Sequence, residues 1–123
     1  MYERLPLIMS DEHLALGKKG EEIAMKYLSD LGYAIVDTNV KTGRGEIDII
    51  AMGKGMIVFV EVKTRSVDDA FVPSDRVNME KIRRIEGAGE AWLDKQGLEV
   101  SARIDVIGVV DGVVVEHYKD ITN

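Results

Sequence analysis

Residues 45–65 read GEIDIIAMGKGMIVFVEVKTR, the most informative segment of the chain. Two runs rich in Ile and Val flank the segment MGKG at 52–55, whose glycines permit the positive φ angles that a tight turn requires. The pattern therefore predicts a β-hairpin, and the rest of the chain is expected to pack around its two strands.

Side chains alternate between the two faces of a strand, so the faces of both arms can be assigned by counting. In the first arm, Ile47, Ile49 and Ala51 lie opposite Glu46, Asp48 and Ile50. In the second arm, Val58, Val60 and Val62 lie opposite Ile57, Phe59, Glu61, Lys63 and Arg65. If the apolar faces of the arms coincide, Asp48, Glu61 and Lys63 converge on one small patch.

Two carboxylates at close range repel each other, which raises the pKa of one of them unless a cation lies between them. No Cys or His stands beside Asp48 or Glu61, and oxygen-only ligands suit a hard ion such as Mg²⁺ or Mn²⁺. The neighbouring Lys63 can then orient a water molecule or stabilise developing negative charge. The hairpin thus predicts a divalent metal site.

The spacing of Asp48, twelve further residues and then Glu61-Val62-Lys63 resembles the pattern of the PD-(D/E)XK nuclease superfamily. GEIDIIA followed by VFVEVKTR also resembles the YraN-like family, catalogued as uncharacterised protein family 0102, whose fold is similar to that of archaeal Holliday-junction resolvases. The resemblance implies a restriction-endonuclease-like fold. It also implies that a helix-borne glutamate directly after a glycine joins the active site, and here that residue is Glu21. A partly buried glutamate paired to a lysine is the alternative for Glu21.

The chain has 123 residues, which corresponds to a single domain, here placed at 10–123 after an irregular arm at 1–9. No apolar run is long enough to span a bilayer, and 1–9 lacks the features of a signal peptide, so a cytoplasmic protein without membrane contact is expected. The absence of cysteine excludes disulfides and thiolate zinc sites.

The net charge of −6 argues against a protein that holds nucleic acid by bulk electrostatics. Basic residues nevertheless cluster, and the candidates for contacts with nucleic acid are Lys41, Arg44, Arg65 and Lys81. A solvated loop is the alternative for Lys41 and Arg44, and a solvated helix face is the alternative for Lys81. Binding is expected to be modest and salt-sensitive, with DNA favoured over RNA.

Helical spacing at 10–31 places Leu14, Gly17, Glu21, Ala24, Leu28 and Leu31 on one stripe, and Gly32 is positioned to end the helix. Gly17 and Gly20 inside this helix suggest the close approach of another backbone or of a ligand. A short strand is expected at 33–38, followed by a polar turn at 39–44 and, after the hairpin, by a loop at 66–76.

A second helix is expected at 78–96, with Ile82, Ile85, Gly89, Trp92 and Leu93 facing the core and Gly97 ending it. Two strands within 100–117 are joined at Asp111-Gly112, a strong hairpin signal. Asp105 is expected to have a structural role, pairing with Arg103 or a capping group, and neither His13 nor His117 is assigned a role. The order α-β-β-β-α-β-β predicts an α/β fold with a mixed sheet flanked by helices.

The main hypothesis is a metal-dependent nuclease that hydrolyses phosphodiester bonds in DNA. Asp48, Glu61 and the backbone carbonyl of Val62 would hold Mg²⁺ or Mn²⁺, and Lys63 would orient the attacking water. Glu21 and Glu46 would complete the outer ligand set. The alternatives are a non-catalytic nucleic-acid or protein interaction module on the same fold, and a subunit that needs a protein partner to bring the DNA. A homodimer is left open.

Overall fold

The computed structural model describes residues 11–65 and 78–122. In chain order the elements are helix α1 (Asp11–Asp30), strands β1 (Ala34–Thr42), β2 (Gly45–Gly53) and β3 (Met56–Arg65), helix α2 (Met79–Gln96), and strands β4 (Ala102–Val110) and β5 (Val113–Tyr118). This order confirms the predicted α/β fold. The arm expected at 1–9, the loop expected at 66–76 and the side chain of Leu14 lie outside the described residues. Neither described helix is long and apolar enough to cross a membrane.

The five strands form one sheet in the order β1-β2-β3-β4-β5. The β3–β4 pair is parallel and the other pairs are antiparallel, so the sheet is mixed. The parallel pair requires a crossover, and α2 supplies it.

The hydrophobic core has two layers, one on each face of the sheet. The layer on the α1 side contains Ala24, Leu28, Ile49, Ala51, Val58, Val60, Ile107 and Val109. The layer on the α2 side contains Ile47, Ile50, Ile57, Phe59, Ile82, Ile85, Ala88, Trp92 and Ile104.

The central hairpin forms as predicted, with a turn at Lys54 and Gly55, whose φ angles are 55° and 74°. The faces of β3 also follow the prediction, because its alternating apolar residues divide between the two core layers. The prediction for β2 is wrong at Ile47. Ile49 and Ala51 pack on the α1 side, but Ile47 packs with Ile50 on the α2 side, so regular alternation is interrupted around Asp48.

Helix α1 follows its predicted stripe in the middle and departs from it at the end. Ala24 and Leu28 are fully buried, but Leu31 is 53% exposed, so its assignment to the core stripe is wrong. Leu31 follows the last helical residue, and the chain reverses at Gly32 with φ 100°, so helical spacing no longer sets its direction. The predicted close approach of another backbone is wrong at Gly17, where an added Cβ would meet no atom within 4 Å. At Gly20 the close neighbour is the Thr64 side chain and not a backbone, and the alternative that these glycines face a ligand stays a prediction.

Strand β1 extends beyond the predicted 33–38 to Thr42, so the turn expected at 39–44 is reduced to Gly43 and Arg44. β1 is an edge strand, and its pairing with β2 contains a register shift between Ile35 and Asp37. Edge strands with bulges tolerate polar residues, which explains how a sequence typical of a turn is incorporated into the sheet.

Helix α2 and the C-terminal hairpin confirm their predictions. The Asn78 side chain caps α2 by accepting a 3.2 Å hydrogen bond from Lys81 N, and Gly97 ends the helix with φ 70°. Trp92 is 6% exposed, and its Nε1 donates to Asp37 Oδ2 at 3.3 Å. The turn between β4 and β5 is at Asp111-Gly112, as the sequence predicts.

Candidate active site

The candidate site lies where β2 and β3 separate. The two strands pair from Gly53↔Met56 to Ile49↔Val60, and no pair is formed beyond that in the described residues. Past this point β2 remains paired with β1, while β3 remains paired with β4. Asp48 and Glu61 are the first residues after the last β2–β3 pair. The fork therefore brings the two carboxylates together at the inner end of an opening in the sheet.

Asp48 is held across this fork by the backbone of β3. The N–H of Val62 donates a 2.8 Å hydrogen bond to Asp48 Oδ2. Burial, followed by repulsion from Glu61 and more weakly from Glu21, raises the pKa of Asp48 to about 7. The Val62 hydrogen bond and the Lys81 charge lower this pKa but do not cancel the increase. The predicted repulsion between the hairpin carboxylates is thus present at Asp48.

Glu61 is the most buried carboxylate of the fork, with 7% of its surface exposed. Its Oε2 lies 2.5 Å from Nζ of Lys81, on the first turn of α2. The Asn78 cap fixes the backbone of Lys81, and the lysine side chain reaches from an exposed position to the buried carboxylate. A buried charge requires a partner, and Lys81 supplies the positive charge next to Glu61.

Glu21 approaches the same opening from α1. Burial is the main cause that raises its pKa, a hydrogen bond with the Asn39 side chain opposes the increase, and repulsion from Glu61 and Glu46 adds to it. The neighbouring Gly20 lies against β3, since an added Cβ there would be 2.1 Å from Thr64 Oγ1. This close contact sets the distance between α1 and β3. Glu21 is half-buried and Glu22 is exposed, as the helical spacing predicts.

These side chains line a cavity of about 870 Å³. Its acidic lining residues are Glu21, Glu46, Asp48 and Glu61, and its basic ones are Lys41, Arg44, Lys81 and Arg84. Glu46, Lys41, Arg44 and Arg84 are exposed, whereas Glu61 is buried. The cavity therefore combines a carboxylate pair at its buried end with positive charge near solvent, an arrangement that suits a phosphate ester held next to a cation.

Not every predicted site residue lines this cavity. Among the described residues, its wall includes Val62 and Thr64 but neither Lys63 nor Arg65. Lys63 and Arg65 are half-buried, and both interact with other groups. Of the four candidates for nucleic-acid contact, Lys41, Arg44 and Lys81 line the cavity. Arg44 also forms an exposed 3.2 Å ion pair with Glu90.

The donor set fits a hard divalent cation. Asp48 and Glu61 supply carboxylate oxygens, and Val62 lies beside them with its N–H on Asp48 and its carbonyl as a further oxygen. In the part of the chain that the structure describes, no three Asp, Glu or His side chains form a ready-made metal cluster. Mg²⁺ often binds through one or two carboxylates and keeps several waters, so two carboxylates and a carbonyl suit it.

The sequence predicted Lys81 as a nucleic-acid contact but not as the partner of Glu61. The ion pair joins a strand to a helix that follows twenty residues later, and no spacing rule connects the two positions. A partial signal was present, since Lys81 and Arg84 are three residues apart and share a helix face with Ile85 and its neighbours in the core. That signal places a positive charge at the edge of the core without identifying its acidic partner.

A second polar cluster lies outside the cavity and centres on Asp105, which is completely buried. Arg103 Nε donates to Asp105 Oδ1 at 3.0 Å, which confirms the predicted pairing. The N–H of Asp120 donates to the same oxygen at 2.9 Å. Burial alone would raise the pKa of Asp105, but hydrogen bonds from His117, Asp120 and Arg103 outweigh it and hold the pKa below its ordinary value.

His117 belongs to this cluster, although no sequence motif assigns it a role. Its Nε2 lies 2.8 Å from Asp105 Oδ2, and its Nδ1 lies 2.9 Å from the hydroxyl of Tyr27. Arg103 also donates to the hydroxyl of Tyr33 at 2.7 Å. The cluster thus connects β4 and β5 to α1 and to the start of β1, an arrangement that agrees with the structural role expected for Asp105.

The protein is a small α/β domain whose five-stranded mixed sheet opens at a fork that carries a carboxylate pair. The chain belongs to the uncharacterised protein family UPF0102, whose family model matches residues 20–109. The matched range includes the fork, α2 and most of β4.

Curated relatives match nearly the whole chain. A UPF0102 protein of Geobacter sulfurreducens is 42% identical over 113 residues, covering 88% of each chain. A UPF0102 protein of Chlorobium chlorochromatii is 39% identical over 114 residues, which is 85% of this chain and 88% of the relative. A third from Christiangramia forsetii is 36% identical over 112 residues, which is 89% of this chain and 94% of the relative.

Proposed function

We propose that the chain is a metal-dependent nuclease that hydrolyses phosphodiester bonds in DNA. The observation that supports this function most strongly is that Asp48 and Glu61 lie together at a fork in the sheet and line a cavity with basic residues near solvent. The arrangement agrees with the resemblance of the hairpin to PD-(D/E)XK nucleases, which have restriction-endonuclease-like folds. Membership of UPF0102 by itself assigns no activity.

Asp48, Glu61 and the carbonyl of Val62 would hold Mg²⁺ or Mn²⁺, with Glu21 and Glu46 in the outer ligand set. When bound, such an ion polarises the scissile phosphate and lowers the pKa of a coordinated water. The Val62 N–H keeps the Asp48 carboxylate oriented towards Glu61, and the burial of Glu61 excludes competing water from that side. Lys63 would orient the attacking water or neutralise charge on the transition state, a role that requires its side chain to turn towards the cavity, which it does not line in the structure.

Lys41 and Arg44 would contact phosphates of the DNA backbone, because both are exposed and line the cavity. Arg65 remains a candidate from the sequence. With a net charge of −6, the whole chain repels a polyanion, so affinity depends on these local contacts and is expected to fall as salt is added.

The experiment is a cleavage assay on single-stranded, duplex and branched DNA with Mn²⁺ or Mg²⁺, comparing the unmodified chain with Asp48→Ala and Glu61→Ala. Glu22→Ala is the matched control, since this glutamate lies on the exposed face of α1 and does not line the cavity. We expect cleavage by the unmodified chain and by Glu22→Ala, and none by the other two variants. Full activity in both Asp48→Ala and Glu61→Ala would reject the proposed site.

A non-catalytic nucleic-acid or protein interaction module is the second candidate. The Lys81–Glu61 ion pair favours it, because this pair balances the most buried carboxylate of the fork without a metal. Binding of DNA without turnover would support the module. Turnover that appears only when a co-purified protein is added would instead indicate a nuclease subunit that depends on a partner.

A further inference from the structure

The contact between Glu61 and Lys81 has the form of a filled cation site. Glu61 is buried, the ammonium of Lys81 lies 2.5 Å from its Oε2, and both residues line the cavity. Asp48 uses one oxygen to accept from Val62 N and lies on the same cavity wall. A positive charge from α2 therefore contacts Glu61 at the buried end of the cavity.

The position of Lys81 on its helix is unfavourable in the absence of that carboxylate. Lys81 is in the first turn of α2, where the helix dipole favours negative and disfavours positive side chains. Its backbone is fixed there because Lys81 N donates to the cap residue Asn78. A fixed backbone with an exposed, flexible side chain allows the ammonium to leave Glu61 without movement of the helix.

We propose that Lys81 is a resident counter-ion of the site, and that a divalent cation binds Glu61 by displacing the Lys81 ammonium from it. This inference rests on the proposed function, since it takes Asp48 and Glu61 as the metal ligands. It gives Lys81 a second position, because the displaced ammonium remains in the cavity and can contact a phosphate.

The test is calorimetric titration of Mn²⁺ alone into the metal-free chain and into Lys81→Gln, Arg84→Gln and Lys81→Arg, at one fixed pH above 7. Arg84→Gln is the matched control. It removes one positive charge from the same cavity and the same helix, but Arg84 pairs with Glu80 at 3.9 Å and not with Glu61. A general electrostatic effect would therefore change both glutamine variants equally.

We expect Lys81→Gln to bind Mn²⁺ about five- to tenfold more tightly than the unmodified chain, because a half-exposed ion pair no longer competes. Arg84→Gln should change the affinity less than about twofold because exposed charges are screened. Lys81→Arg keeps a competing charge and should not gain affinity.

A second measurement needs no metal. Lys81→Gln should lower the Tm of the metal-free chain, because Glu61 is left buried beside Asp48 without a counter-ion.

Equal Mn²⁺ affinity in the unmodified chain and Lys81→Gln would reject the proposal that Lys81 is a resident counter-ion. If that binding is lost in Asp48→Ala, the proposed metal site remains valid and only the role of Lys81 is rejected. If neither the unmodified chain nor Lys81→Gln binds Mn²⁺, both the metal site and the inference are rejected. Equal gains in Lys81→Gln and Arg84→Gln also reject the inference, since the effect would then come from net charge.

Discussion

The backbone N–H of Val62 donates a 2.8 Å hydrogen bond to Asp48 Oδ2 at the point where β2 and β3 stop pairing. This bond replaces the interstrand bonds that end at the fork and keeps the Asp48 carboxylate next to Glu61. Burial and the nearby Glu61 charge act in the opposite direction and raise the pKa of Asp48 to about 7. The site is therefore held together by the backbone and is electrostatically unfavourable without added positive charge.

The raised pKa of Asp48 predicts that the metal-free chain loses stability as the pH rises from about 4 to about 7. The unfolded chain releases this proton near the ordinary pKa of 3.8, whereas the folded chain retains it to about 7. Within this window the folded state binds up to one more proton, so raising the pH favours unfolding by at most about 1.4 kcal/mol per pH unit. Urea denaturation at a series of pH values measures the slope.

The variant Asp48→Asn isolates this effect, because asparagine does not titrate and still accepts the Val62 hydrogen bond. We expect its unfolding free energy to change less with pH across the same window than that of the unmodified chain. Parallel curves for the two proteins would contradict the assignment of the raised pKa to Asp48.

The lowered pKa of Asp105 predicts the opposite pH dependence of stability: the folded chain loses stability as the pH falls into the acid range. Because its pKa is lowered in the folded state, its contribution to stability is complete above the ordinary pKa of 3.8 and is lost as the pH falls through the lowered value. Asp105→Asn should reduce the free energy of unfolding by about 3 kcal/mol, since the buried Arg103 and His117 contacts lose their charged partner. Urea denaturation at neutral pH measures this loss.

Asp94→Asn is the control for Asp105→Asn, because Asp94 is exposed on α2, and its effect should stay within about 0.5 kcal/mol. The Asp105 cluster is separate from the cavity, so Mn²⁺ affinity should be the same in Asp105→Asn and the unmodified chain. A loss of metal binding with an unchanged Tm would show that Asp105 serves the site and not the fold.

The fold was largely predictable because its signals are local. The turn at Lys54-Gly55, the N-cap Asn78 and the C-cap Gly97 each act within a few residues, and the sequence displays them directly. Errors occurred where a neighbour in space overrides the local pattern. Residues 39–42 have a polar sequence typical of a turn, but pairing with β2 incorporates them into an edge strand.

Two glycines in α1 predict effects of opposite sign on stability. Gly20→Ala should destabilise the chain by about 1–3 kcal/mol, because the new Cβ would overlap the short, β-branched Thr64 side chain. Gly17→Ala should stabilise it by about 0.5–1 kcal/mol, because the added Cβ meets no atom within 4 Å and alanine favours the helix. The midpoint of urea denaturation distinguishes the two.

A further variant tests the cause of the Gly20 effect. Adding Thr64→Ala to Gly20→Ala removes the atoms that the new Cβ would meet, so the double variant should regain part of the lost stability. Equal destabilisation by Gly17→Ala and Gly20→Ala would show that the close contact between α1 and β3 does not cause the loss of stability in Gly20→Ala.

The carboxylate pair of the site was predictable because both of its members lie in the hairpin. Asp48 and Glu61 could be paired by counting, since both belong to adjacent strands whose register is set by the intervening turn. The contact of Lys81 with Glu61 depends on how α2 packs across the sheet after the crossover, and pattern alone does not contain that geometry. The same limit applies to His117, whose partners Tyr27 and Asp105 lie on α1 and β4.

The proposed DNA contact predicts that replacing Lys41 lowers the affinity for DNA. Lys41 is exposed and lines the cavity, so Lys41→Ala should weaken DNA binding and reduce the slope of log affinity against log salt by about one. Lys95→Ala is the matched control, because Lys95 is in the last turn of α2, about 20 Å along the helix from Lys81. Fluorescence anisotropy of labelled DNA at several salt concentrations measures both slopes. Both variants lower the net charge equally, so an equal loss in affinity would indicate a general charge effect and would argue against the cavity as the DNA-binding surface.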